Sequence, residues 1–372
     1  MPNQELIDSV KDFVAREIAP RAADIDRSRE FPAEQWKKLG DFGLTGLTLP
    51  TGYDGLGADL GTLLAAVGTV AGADASTAWM LLSHTAVATG IERIGTDAQK
   101  QRYLPALARA ERIGGTTAGT ETGGGSNPNS MKSFARQEGD HYVLDGGKFF
   151  ITQAGAADVY LVVARTGDGP APQCLSCFIV EKEDAGLRFG KRETLMGLHG
   201  VHVAEIFFDH VTLPADRLLG KLGGAGAMLG AISGITRLGS SAAALGVARA
   251  AADVTLEYLK QRKVAGHALA AVPGVQTQVG AMLMDLEGAQ AWLQHGLAAH
   301  AAKRGPLPLW MTKISVTEAA SRIVDACLGL HGAIGYSQAL PLERYYRDLR
   351  AFRIHWGNND VLRDRIGRTA LS

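Results

Sequence analysis

Net charge is missing from this chain: 38 lysines and arginines are matched by 38 aspartates and glutamates, which removes the electrostatic footprint of a nucleic-acid or membrane-surface binder. Cysteine is scarce, with three in 372 residues. Cys174 and Cys177 form a CxxC, but it leads into the apolar run CFIV and no second pair follows. Buried thiols in a reducing compartment are expected, and no metal site. No apolar run approaches the roughly 20 residues of a membrane span, and the opening MPNQELIDSVKDF enters an amphipathic helix directly, so a cytoplasmic protein is expected. Internal repeats and low-complexity tracts are absent too. What remains is 46% hydrophobic and 20% charged, an ordinary globular composition in a chain long enough for two or three packed units.

Three blocks emerge. Residues 1–113 carry helical periodicity: Leu6, Val10, Phe13, Val14 and Ile18 recur at three- and four-residue steps up to Pro20. Pro32 opens the next helix. After a glycine-rich connector, helices are expected from Leu60, from Thr77 to Ile94, and over Asp97–Ala108 with Thr96 as cap. Residues 114–222 change character, with short alternating or apolar runs between Gly, Asp and Pro that suggest a β-barrel or sandwich. Residues 223–372 return to helix, with long alanine-rich segments over 235–260, 275–304, 309–330 and 343–368.

The stretch Thr120–Asp158 stands out. Its glycine loop, TETGGGSN, lets backbone N–H groups approach a phosphate closely. No Gly-Lys-Ser/Thr follows it and no strand–turn–helix frame surrounds it, so it is neither a Walker loop nor a dinucleotide fingerprint. Downstream, strand alternation in KFFIT puts Phe150 and Thr152 on one face, where a ring could stack and a hydroxyl could bond a planar ligand.

Together these elements resemble the acyl-CoA dehydrogenase family of FAD flavoproteins over nearly the whole chain. Thr120–Asn127 matches the family loop TEPGAGSD, with Thr122, Gly124 and Asn127 as departures. Asp145–Gln153 matches NGxKxWITN with Phe150 in place of tryptophan, and Arg262 stands where RxQFG begins. His331–Tyr336 is similar to HGGxGY, and Glu343-Arg344 with Arg347-Asp348 to its ER..RD continuation. The resemblance implies an α+β, mostly α fold: an N-terminal helical domain, a middle β-domain and a C-terminal four-helix bundle, in a homotetramer. It implies FAD, with Thr120 and Thr152 on the isoalloxazine edge, Phe150 stacked near it, Ser126 by the pyrophosphate, and Asn358 and Asp360 close to the flavin. Arg262, Gly329 and Gly332 would reach the dinucleotide of a neighbouring subunit. It also implies an acyl-CoA substrate.

One departure concerns the chemistry. The family's glutamate base, in its YEGT motif, is replaced here by Trp356 within His355-Trp356-Gly357-Asn358. The other known position for that glutamate precedes an arginine on the first bundle helix, and there the pair is Thr236-Arg237. Indole accepts no proton at neutral pH, and threonine is a poor base without an activating partner. His355 adjoins the lost site and titrates in the right range. Flavin monooxygenases of the superfamily are similar here, carrying a histidine after an Arg-Asp/Asn segment, as Arg347-Asp348 precedes His355. His84, Trp356 and Arg237 would border the acyl pocket. His199 and His202 fall where substrate contact is possible and surface placement is the simpler expectation. The expected protein is an FAD-dependent oxidoreductase of an acyl-CoA-type thioester with atypical chemistry, in its sharpest form an O2-using oxygenation assisted by His355. Two alternatives stay open: a dehydrogenase with a relocated base at His355 or His84, and a non-catalytic FAD-binding subunit of a hetero-oligomer.

Overall fold

The computed structural model describes residues 3–372. Helix α1 (Gln4–Phe13) starts where the Asn3 side chain accepts from the Leu6 N–H at 3.1 Å. The helical path does not end at Pro20. It widens through a π turn at Val14–Ile18 and tightens through a 3-10 turn at Ala19–Arg21 into α2 (Ala22–Ser28). Pro20 lies in the first turn of the new segment, where its missing N–H costs nothing. Then come α3 (Ala33–Asp41), α4 (Leu60–Ala73), α5 (Ala75–Ile94) and α6 (Asp97–Ala108). The caps explain the breaks: Asp59 and Asp74 accept from Thr62 and Thr77 N–H, and Thr96 with Gln99 completes a capping box. Helix α5 is buried on nearly every face from Ala75 to Ile91, so it is a core strut rather than a surface helix.

The middle of the chain forms β1 (Gly114–Ala118), β2 (Phe134–Glu138), β3 (His141–Thr152), β4 (Val159–Arg165), β5 (Leu175–Glu181), β6 (Leu187–Phe189), β7 (Val203–Pro214) and β8 (Leu218–Leu219). They make one eight-stranded sheet in the order β6-β7-β3-β2-β4-β5-β8, with β1 parallel to β4. The long antiparallel pair β3·β7 slips register twice, between Leu144 and Gly146 and between Lys148 and Ile151. The second slip is a bulge where Phe150 takes a φ of 54°.

Helix resumes with α7 (Ala225–Ala231), α8 (Ser233–Gln261), α9 (Pro273–Ala301) and α10 (Leu307–His331), with a small hairpin, β9 (Lys263–Val264) and β10 (His267–Ala268), between α8 and α9. The expected last helix is two: α11 (Leu342–Phe352) and α12 (Asn359–Leu371). Between them Trp356 and Gly357 adopt φ of 48° and 104°, which an α-helix cannot contain, and the Asn358 side chain restarts the helix by accepting from the Asp360 N–H at 2.8 Å. Helices α4 and α8 cross so closely that a Cβ on Gly246 would lie 2.0 Å from the Gly68 carbonyl oxygen. That contact joins the N-terminal helices to the bundle.

Candidate active site

The glycine loop is held by a buried ion pair. Lys148, with no exposed surface, donates to Glu121 Oε1 at 2.6 Å, and Glu121 also accepts from the Lys132 and Ser133 N–H groups at 2.6 and 3.0 Å. Burial pushes the Lys148 ammonium down despite Glu121; burial works to raise Glu121, but Lys148 and the two N–H groups hold it below its ordinary range. The pair therefore stays ionised. The Phe149 N–H donates to the Thr120 carbonyl at 2.9 Å, so the loop is bonded to the strand that carries Phe150. Phe150 and Thr152 do not share a face as alternation predicts. The bulge turns Phe150 outward, 59% exposed, while Thr152 is buried.

Thr152 instead meets helix α5, its Oγ1 lying 3.4 Å from the Trp79 Nε1 donor. Trp79 is the floor of the site. Trp356 stacks on it at 4.5 Å and 17°, and His355 and Phe352 pack edge-on at 4.6 and 5.1 Å. The left-handed turn at Trp356 is what folds the indole back onto Trp79 beside the His355 ring. Among the described residues neither His355 nitrogen has a hydrogen-bond partner. Burial first and Lys313 second push its imidazole down to about 4, so the ring is neutral across the physiological range.

Behind this turn the charge is positive. Lys313 on α10 is fully buried and donates to the Gly357 carbonyl at 2.6 Å and to Asn359 Oδ1 at 3.0 Å. Burial, then Arg237, push it down to about 7. Arg237 on α8 has a buried Nε without a partner, and its guanidinium makes no ion pair or hydrogen bond among the described residues. Burial, then Arg365, bring it down to about 10. Arg365 itself donates to the Ser126 carbonyl at 3.3 Å, tying α12 to the glycine loop. Asp360 is exposed and pairs with Arg363 at 2.8 Å, and Glu318 is engaged by Arg363, Arg353 and Asn359. An unpartnered arginine, an exposed glycine loop with Gly124 at φ 96° and an outward Phe150 fit an anionic ligand carrying a planar ring.

The other histidines singled out in the sequence, His84, His199 and His202, lie away from this turn's ring stack. His84 Nδ1 accepts from the Gly114 N–H at 2.9 Å, which leaves Nε2 as donor to the Leu107 carbonyl at 3.1 Å. With both nitrogens used and burial pushing it down to about 4, His84 cannot serve as a relocated base. His199 is buried rather than on the surface, against Asp26 at 2.9 Å, and His202 packs edge-on to Phe31. Arg347 forks onto Asp26 and Glu343, and Asp348 accepts from the Leu198 N–H, so this pair anchors α11 rather than lining the site. Arg262 caps the far end of α8, 25 positions and so roughly 37 Å from Arg237. Gly329 and Gly332 are at that same end, where Tyr258 stacks on His331 at 4.2 Å. They do not join Thr120 and Thr152 within one chain. The three cysteines are free and buried, and among the described residues no helix is long and apolar enough to cross a membrane.

Sequence reasoning missed Trp79, Lys313 and the Glu121–Lys148 pair. Only the last left a signal, a lysine set between two glycines and two phenylalanines in a run that reads as strand.

Fold and site together define an FAD-dependent oxidoreductase. Residues 2–111, 116–211 and 223–371 match the N-terminal, middle and C-terminal domains of acyl-CoA dehydrogenase. The chain is 34% identical to an acyl-CoA dehydrogenase of Bacillus subtilis over 97% of its length and 96% of that protein. Among solved structures, butyryl-CoA dehydrogenase from Megasphaera elsdenii superposes with a TM-score of 0.95 at 29% identity, covering 99% of this chain and 98% of that one. The prolyl acyl carrier protein oxidase AnaB superposes with a TM-score of 0.93 at 25% identity, covering 100% and 99%. The chain belongs to the acyl-CoA dehydrogenase family.

Proposed function

We propose that this protein oxygenates an acyl-CoA-type thioester with O2 as co-reactant, and that His355 replaces the missing carboxylate as the proton-handling group. One observation carries this reading: at the turn on Trp79 the titratable side chain is an unbonded, neutral imidazole, and the position of the family's base is an indole. A carboxylate base becomes neutral on taking a proton, whereas an imidazole becomes a cation that burial and Lys313 both oppose here, which disfavours ordinary desaturation. A neutral ring in a desolvated pocket suits a different task, holding or passing one proton to an oxygen atom while Trp79, Phe352 and Trp356 exclude water. The likeness to an oxidase structure supports O2 as a co-reactant. Thr120, Ser126, Phe150, Thr152, Asn358 and Asp360 would hold FAD, with Arg262, Gly329 and Gly332 supplied by a neighbouring copy. When bound, FAD supplies a two-electron carrier that can exchange electrons with O2.

The test uses chemically reduced holoenzyme mixed with O2 and a series of acyl-CoAs. Mass spectrometry should find a product containing an oxygen atom from 18O2, and His355→Ala should lose it. Oxidation of the flavin with hydrogen peroxide alone, for every thioester, overturns the reading. A second reading, a non-catalytic FAD-binding subunit, is favoured by the Trp356–Trp79 stack itself, because packed indoles fill the base position. It requires co-purification with a homologue that carries the glutamate.

A further inference from the structure

We infer that Lys313 is the positioning residue of this site: it holds the His355–Trp356 turn in place from behind and sets the electrostatic environment of the His355 ring. The inference rests on the reading of His355 given above only for its consequence in catalysis; its geometry stands alone.

Within its own sequence the turn is closed by backbone bonds alone: the Ile354 and His355 N–H groups donate to the Ala351 carbonyl and the Asn359 N–H to the Arg353 carbonyl. Residues Arg353–Asn358 leave the helix, and two consecutive residues, Trp356 and Gly357, sit in the left-handed region, which for tryptophan costs roughly 1 kcal/mol or more. Something outside the turn must fix it. Lys313 does so by reaching across from α10 to the carbonyl of Gly357 at 2.6 Å, the peptide that follows the strained tryptophan. Its second bond, to Asn359 Oδ1 at 3.0 Å, grips the first residue of α12. Asn359 in turn donates to Thr317 and Glu318 on α10, both at 3.1 Å, so Lys313, Thr317 and Glu318 on one face clamp the turn and the start of α12 together.

Both acceptors of the ammonium are neutral, and no carboxylate lies within ion-pair distance of it among the described residues. The charged groups around it come from each packed element: Arg237 from α8, Glu318 from α10, and Arg353 at the end of α11, with His355 following in the turn and Trp79 closing the α5 side. A buried cation with no counter-ion is costly, and structural needs alone could be met by a neutral donor. The charge opposes a second charge on the nearby imidazole, adding to the larger effect of burial on His355.

Two variants of the flavin-loaded protein separate the parts. Lys313→Gln keeps a donor for Gly357 and removes the charge; Lys313→Met removes both. The His355 ring is followed by NMR of histidine-labelled protein across pH, assigned with His355→Ala, and the Trp79–Trp356 stack by its exciton band in circular dichroism, assigned with Trp356→Phe. In Lys313→Gln the His355 titration should move up by about one pH unit, tenfold in proton affinity, with the exciton band retained. In Lys313→Met the titration should move up likewise and the exciton band should be lost. An unshifted His355 titration in Lys313→Gln, or an intact exciton band in Lys313→Met, overturns the inference. Should Lys313→Met fail to fold, Lys313→Gln still decides it. Neither readout depends on turnover, so a reaction that does not use His355 would leave the positioning role standing.

Discussion

Lys148 is an ammonium with no exposed surface, and the glutamate opposite it is the reason it can be there. The two partners are not equivalent. Glu121 keeps two backbone N–H donors if the lysine is removed, whereas Lys148 keeps nothing if the carboxylate is removed. Glu121→Leu should therefore destabilise by about 3–5 kcal/mol and Lys148→Met by less, measured as denaturant midpoints, and both should lower flavin content because the glycine loop hangs on this pair. Trp356 poses the opposite case, a residue whose chemistry is absent rather than hidden. Trp356→Glu puts a carboxylate on the turn at the family's base position, since its backbone is already folded toward Trp79. The variant should gain anaerobic bleaching of the flavin by acyl-CoA that the wild type lacks. A variant that binds flavin and acyl-CoA yet never bleaches would show that the turn, and not just the missing carboxylate, bars desaturation.

At the scale of elements, α11 is the clearest example of a helix placed by buried charge. Arg347 forks onto Asp26 of α2 at 2.7 and 3.0 Å, and Asp348 accepts from the Leu198 N–H at 2.5 Å. Burial, only partly offset by that N–H and reinforced by Asp74 and Asp26, pushes Asp348 up to about 7 from 3.8. Between these values the unfolded chain has released a proton that the folded chain retains, so this group lowers stability as pH rises from about 4 to about 7 and adds nothing further above that. Asp348→Asn removes the slope. Relative to wild type, its unfolding free energy should climb over that interval by on the order of 1–3 kcal/mol, read from denaturation at several pH values. The same helix shows what periodicity can and cannot give. The apolar pattern of residues 343–368 is good enough to announce helix, yet its break depends on two left-handed residues stabilised from α10 by Lys313, a contact 44 positions away in sequence. Phe150 is the strand counterpart: alternation is a local rule, and the bulge against β7 that turns the ring outward is a property of the pair. The glycine loop, Thr152 and the His355-Trp356 pair can be singled out in the sequence because they are local motifs. Trp79 and Lys313 cannot, because a tryptophan on an all-buried helix and a lysine in the run Met-Thr-Lys-Ile-Ser look like packing and surface until the chain folds.

The whole molecule divides its motif residues between two ends of one bundle. Helices α8 and α10 run side by side, with Arg237 and Lys313 toward one end and Arg262 and the His331-Gly332 turn at the other. Tyr336, 89% exposed, and Ile334 leave apolar surface uncovered at that second end. No side chain reaches the roughly 37 Å along α8 from Arg262 back to Arg237, so an arginine that contacts the dinucleotide from there would do so on a second copy. Flavin affinity would then be linked to assembly by mass action. Dilution should release flavin in step with dissociation, followed by flavin fluorescence and sedimentation on the same samples. Arg262→Ala should lose flavin several-fold more readily while its fully assembled state and melting behaviour without flavin stay unchanged. Flavin that remains bound to a diluted monomer, or an Arg262→Ala protein with wild-type retention, would place the complete cofactor site inside a single chain.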